Sequence, residues 1–233
     1  MKVTKVGYLY QISFLHTVFP VNCYIVEEKE SVTLIDAAIP RCASKIISVA
    51  TKIGKPIHRI LITHGHNDHI GSLEELKKLL PEAKIYISER EGRILMGDRT
   101  LDPTEPQTVL RGGFPKVEKF NADVYIKNGD IIGSLKAISA PGHTPGLFTF
   151  MDMRSKALIV GDAFQVRGGV AVAGQIVPLF PFPGLATWNK ALSLKSAEKL
   201  LNLNPSLLAT GHGHLLQKPS ESIKRAILKA KSN

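Results

Sequence analysis

Four side chains able to bind a metal ion, His64, His66, Asp68 and His69, fall within six residues of this 233-residue chain. Imidazole nitrogen and carboxylate oxygen are the donors that a borderline divalent ion such as Zn²⁺ prefers. A solvated turn has no need of such density, so His64-Gly65-His66-Asn67-Asp68-His69 is read as a metal-binding segment.

The elements that must position it follow from apolar periodicity. A compact apolar run predicts a strand over 57–63 that delivers the cluster at its carboxyl end. Before it, alternating or β-branched runs predict strands over 8–14, 21–26 and 32–35, and a helix over 43–52 follows Pro40. After it, the spacing of Ile70, Leu73, Leu76, Leu79 and Leu80 predicts a helix over 70–80 that Pro81 stops. A strand over 85–87 then leads to a helix capped by Ser88, with Glu91 in the capping-box position.

Residues 97–121, with several Pro and Gly, predict the longest irregular connection and a candidate wall of a site. Strands are predicted over 124–126, 135–139, 147–151 and 157–160. The apolar stretch 166–185 is too broken by Gly and Pro for a helix and is suited to walling an acyl pocket, to core packing or to a second subunit. A capped amphipathic helix over 187–203, a buried strand over 206–210 and a closing helix over 220–231 complete the chain. Strands precede helices in each half, the pattern of two sheets packed face to face with helices outside.

Thr63-His64-Gly65-His66-Asn67-Asp68-His69-Ile70-Gly71 resembles the signature of the metallo-β-lactamase-fold superfamily. Leu34-Ile35-Asp36 resembles its first motif, Ala140-Pro141-Gly142-His143-Thr144-Pro145-Gly146 the third, Val160-Gly161-Asp162 the fourth and Thr210-Gly211-His212-Gly213 the last, all in family order. The resemblance runs from Asn22-Cys23-Tyr24 to the final helix. It implies an α+β fold, a four-layer αββα sandwich of two mixed sheets with helices on both outer faces, formed by residues 1–233 as one domain.

The resemblance further implies that His64, His66 and His143 hold one metal ion, that Asp68, His69 and His212 hold a second, and that Asp162 bridges them. Two divalent ions, zinc first and iron or manganese as alternatives, are then expected to activate a water for attack on an ester, lactone or thioester of a small molecule. Asp68 and Asp162 are the expected catalytic carboxylates. Asp36 has no ligand role in this scheme and is expected to accept a hydrogen bond from a ligating imidazole.

Other branches fit less well. Enzymes with true β-lactamase activity differ at the position of Asp162, and flavin-linked diiron oxidoreductases have an acidic ligand where His66 stands. Glyoxalase II thioesterases usually add a helical region after the last ligand, whereas one helix follows His212. Lactonases of the family carry a Tyr after the bridging Asp, and no Tyr follows Tyr125 here; Gln165 is a substitute donor. A mononuclear iron persulfide dioxygenase, using His64, His143 and Asp162, is the alternative reading, and a phosphodiesterase or nuclease a further one.

The formal net charge of +10 is dispersed, with Lys195, Lys199, Lys224, Arg225 and Lys229 on predicted helix faces, so a nucleic-acid partner is not expected. Cys23 and Cys42 form no metal or disulfide pattern, and no apolar run is long enough to span a bilayer, so a cytoplasmic location without a membrane partner is expected. A homodimer is one option for the assembly. His16 and His58 fall outside every motif, and His214 is read as a turn residue.

Overall fold

The computed structural model describes residues 1–115 and 120–232. The first half runs β1 (Lys2–Val6), β2 (Leu9–Phe14), β3 (Val21–Glu27), β4 (Val32–Ile35), α1 (Ala43–Ile53), β5 (Ile57–Leu61), α2 (Asn67–Ile70), α3 (Leu73–Leu79), β6 (Lys84–Ser88), α4 (Glu89–Leu95) and β7 (Val124–Ile126). These strands form one sheet in sequence order, antiparallel from β1 to β4 and parallel from β4 to β7. The change of direction coincides with the first crossover helix, as parallel pairing requires.

The second half runs β8 (Ile131–Ile132), β9 (Leu135–Ser139), β10 (Phe148–Asp152), β11 (Ala157–Gly161), β12 (Phe164–Gln165), β13 (Ala171–Val172), α5 (Phe182–Leu185), α6 (Lys190–Leu201), β14 (Leu207–Thr210), β15 (Leu216–Gln217) and α7 (Ser220–Lys231). Its main sheet has the order β15-β14-β11-β10-β9-β8, with β14 parallel to β11; β12 and β13 pair separately.

Three apolar layers separate four structural ones, and strand alternation decides which residue enters which layer. Along β5 and just beyond, Ile60 and Ile62 face the layer under α1 and α3, with Ile46 and Leu76, while Leu61 faces the second sheet. Along β11, Leu158 and Val160 face α6 and α7, with Leu200 and Ile223, while Ile159 faces the first sheet. The central layer joins Tyr24, Ile35 and Leu61 to Phe148, Phe150 and Ile159. The four-layer αββα sandwich of two mixed sheets is therefore the observed fold. Among the described residues no helix is long and apolar enough to cross a membrane.

Most predicted elements appear near their expected positions; the stretch 166–185, read as too broken for a helix, does hold the one-turn helix α5 after Pro181, and two further departures are informative. The helix expected over 70–80 is divided, because Gly71 packs on Pro40 and Ser72 bonds Ile39 O at 2.6 Å and Cys42 N at 2.8 Å. The helix expected from Thr187 starts at Lys190, capped by Asn189, whose Oδ1 accepts from Leu192 N at 2.9 Å. Cys23 and Cys42 are buried free thiols.

Candidate metal centre

The carboxyl ends of β4, β5, β9, β11 and β14 meet at one edge of the two sheets and deliver, in order, Asp36, the cluster at 64–69, the turn carrying His143, Asp162 and His212. Three groups of potential ligand atoms lie within 4.8 Å of one another: His64, His66 and His143; His64, His69 and Asp162; Asp68, His69 and His212. All seven residues expected from the sequence are thus brought together, by strand ends up to 148 residues apart (His64 to His212).

Each of the five imidazoles has one nitrogen tied to a protein acceptor outside the cluster. His64 Nδ1 donates to Thr63 Oγ1 at 3.0 Å, and that hydroxyl donates onward to Asp36. His66 Nε2 donates to Arg111 O at 3.1 Å and His69 Nδ1 to Asp36 Oδ2 at 2.8 Å. His143 Nδ1 donates to Thr187 Oγ1 at 3.1 Å, whose own proton goes to Pro183 O, and His212 Nδ1 donates to Pro20 O at 2.7 Å. Such outer partners fix the tautomer and aim the second nitrogen inward.

Asp162 stands between the groups. Its Oδ1 is 3.4 Å from His69 Nε2, and its Oδ2 is 3.5 Å from His143 Nε2 and 3.2 Å from His212 Nε2. Asp68 Oδ2 lies 3.3 Å from His212 Nε2 and keeps 28% side-chain exposure, so it faces the opening. A Cβ at Gly211 would overlap Asp162 Oδ1 and His69, which is why only glycine serves immediately before His212.

The donor set fits divalent cations. Among the described residues His64 Nε2 is buried with no hydrogen-bond partner, and His69 Nε2 and Asp162 Oδ1 face each other at 3.4 Å without hydrogen-bond geometry, an arrangement that a cation between these atoms would satisfy. Charge divides the site. Burial, reinforced by neighbouring imidazoles, holds His64 well below its ordinary range. Burial also pushes His66 down to about 4 and, with His66 beside it, His143 down to about 3. Burial opposes charge on His69 and His212 too, yet the surrounding carboxylates prevail, raising His69 well above its ordinary range and His212 to about 10.

Two loop-to-helix contacts complete the framework. Ser88 caps α4 as expected, but the Glu91 carboxylate, instead of returning to the Ser88 amide, accepts from Gly65 N at 2.8 Å and Gly146 N at 2.9 Å. It thereby ties the His64–His66 segment to the His143 turn; it is fully buried, and burial pushes its carboxyl up. The irregular segment 97–121, of which 116–119 lie outside the described residues, is fastened to α4 by Arg90–Glu105 and Arg93–Asp102 ion pairs at 2.8 and 2.9 Å. It walls the site, with the Phe114 ring centroid 4.5 Å from that of His66.

A groove of about 290 Å³ opens over Asp68, Asp162 and His212, lined also by Phe19, Phe182, Pro183 and Ala186. Phe19 touches both Phe180 and Phe182, with centroids 4.9 and 5.0 Å apart. The 166–185 stretch therefore walls the groove through its last residues. Gln165 does not serve as a donor there, because its amide is spent on Arg167 O and Phe180 O, both at 3.0 Å. His214 is exposed in a turn, and His16 and His58 are exposed outside the cluster. The sequence carries no signal for the contacts of Thr187 or of the Pro20 and Arg111 carbonyls, and for Glu91 it offers only the spacing from Ser88.

Comparison with known proteins agrees with this geometry. A family model described as the metallo-beta-lactamase superfamily matches residues 16–212. The uncharacterized protein YobT of Bacillus subtilis is 50% identical over 231 residues, 99% of each chain. The hydroxyacylglutathione hydrolase GloC of Haemophilus influenzae is 26% identical over 223 residues, 93% of this chain and 96% of its own. Among solved structures, a metallo-beta-lactamase from Pontibacter korlensis superposes with a TM-score of 0.75 at 17% identity, over 100% of this chain and 99% of that one.

Proposed function

Because this chain belongs to the metallo-β-lactamase superfamily, we propose that it is a metal-dependent hydrolase that cleaves a thioester, ester or lactone bond of a small molecule. The observation that carries the reading is the common build of the five imidazoles, each anchored outward through one nitrogen and turned inward through the other beside Asp68 and Asp162.

His64, His66 and His143 would hold one divalent cation, Asp68, His69 and His212 a second, and Asp162 reaches both sets. When bound, such cations supply Lewis acidity that polarises a carbonyl oxygen and makes solvent nucleophilic at neutral pH. The protein's own share is positional. Asp36 and Thr63 hold the imidazoles still, Asp162 balances charge at the centre, and Phe19 and Phe182 present an apolar wall to the acyl portion of a substrate. Hydrolysis forms a carbon–oxygen bond at the acyl carbon, breaks its bond to sulfur or oxygen, and leaves a proton on the departing group.

The matched relative that acts on hydroxyacylglutathione is covered over 96% of its own length. It has no room for a large added region beyond the match, so a single helix after His212 does not weigh against a thioester substrate. Purified protein loaded with zinc should carry about two ions per chain and turn over members of a thioester, ester and lactone panel. His66→Ala and Asp162→Ala should abolish turnover and lower ion content while circular dichroism stays that of the parent. A single iron with oxygen consumption on a persulfide, or unchanged turnover in either variant, would sink the reading.

A further inference from the structure

A second cavity of about 480 Å³ opens beside the metal centre, within the range of small-molecule sites, and none of the seven ligand residues lines it. Its walls come from the first hairpin, the turn before β3, residues 166–170 and the turn after His212. Lys2 and Arg167 bring two cationic side chains to this one concavity and His16 and His214 add two imidazoles, and among the described residues none lining it carries a carboxylate. Ser13 stands behind them, 6% exposed, adding a hydroxyl held in place by β2, while the Gln11 amide is spent on Gly213 O and Tyr24 Oη at 2.9 and 3.2 Å and so steadies the turn after His212. The Arg167 side chain is itself steadied, since Nη2 donates to Thr17 O at 2.8 Å.

The same walls hold His212. Pro20 O accepts its Nδ1 proton, and the amides of Val166 and Arg167 donate to its carbonyl at 3.0 and 3.2 Å. Four residues that line the cavity, Pro20, Val166, Arg167 and Gly213, therefore either bond His212 or follow it directly in the chain.

We propose that this cavity is a second binding site, for a small molecule held through an anionic phosphate or carboxylate group. Basic groups gathered on a concavity, with no acid among them, lower the energy of a compact anion, whereas a nucleic-acid strand would call for basic groups spread along a stripe. The proposal does not depend on the bond that the metal centre cleaves.

The test is a calorimetric titration of the metal-loaded protein with inorganic phosphate, and in a parallel arm with citrate, at constant ionic strength. The imidazole signals are followed by NMR. Saturable binding with a Kd below about 1 mM is expected, with His16 and His214 signals moving and Arg167→Gln weakening binding about tenfold. Lys2→Gln, on an exposed edge strand, should weaken it as well and keeps the test sound if Arg167→Gln folds poorly. The tighter of the two arms assigns the anion class. No saturation by about 10 mM in either arm overturns the proposal. So does binding that moves only metal-centre imidazoles and is unchanged in both variants.

Discussion

Asp36 Oδ2 lies 2.8 Å from His69 Nδ1, while the Thr63 hydroxyl, which receives the His64 proton, donates to the same carboxylate. One side chain on the first sheet therefore steadies imidazoles of both ligand sets. Asp36 sits at φ 60°, a left-handed conformation that Asn also tolerates, so Asp36→Asn keeps the backbone and removes the charge. Zinc affinity should fall by about 10- to 100-fold, the usual cost of losing such an outer partner, as measured by chelator competition. Unchanged affinity would mean that Asp36 serves the turn alone.

The division of charge predicts unequal proton release on metal loading. Without metal, carboxylates keep His69 and His212 protonated at neutral pH, whereas burial keeps His64, His66 and His143 neutral. An ion entering the Asp68, His69 and His212 set must displace protons from His69, held well above its ordinary range, and from His212, raised to about 10, so its affinity should rise with pH throughout the neutral range. The ion at the other set should weaken only as pH falls toward about 4, where His66 gains its proton. Calorimetry in buffers of different ionisation enthalpy should find about two protons released for one ion and about none for the other. Equal release for both would contradict the assignment.

Glu91 joins two ligand-bearing loops through Gly65 N and Gly146 N. Glu91→Gln offers one acceptor oxygen in place of two, so one buried amide loses its partner, at a cost of about 1–3 kcal/mol in denaturant unfolding. Since both loops serve the His64, His66 and His143 set, cobalt spectroscopy should show that set emptied first. Loss from the other set first would count against the tie.

Phe182 is half exposed over the groove and packs against Phe19 with the two rings tilted by 56°. Phe182→Ala should lower kcat/KM for medium-chain acyl esters about tenfold, the worth of a partly buried aromatic contact, and leave acetyl esters nearly unaffected. A uniform loss across chain lengths would show that the ring supports the fold and not the substrate.

Much of the centre could be read from the chain because its ligands are named side chains at strand ends, and strand ends follow from apolar runs such as Ile57–Leu61. The outer partners were hidden for a physical reason. Pro20 and Arg111 act through carbonyl oxygens, which every residue possesses, and Thr187 stands at the start of a predicted helix, a place where a hydroxyl signals capping and not a bond to His143 Nδ1. Glu91 announced itself by its spacing from Ser88, yet that spacing did not say where the carboxylate would point. The break at Gly71 and Ser72 arose from contacts with 39–42, which no local periodicity contains.

Four of the seven inward-facing side chains belong to the first sheet's half of the chain, and His143, Asp162 and His212 belong to the other. Neither half can grip a cation pair alone, so a captured pair would act as a rivet through the seam between the sheets. Chelation should then loosen that seam before it loosens either layer of helices, and newly synthesised chain would gain its full hold on metal only after His212 has docked.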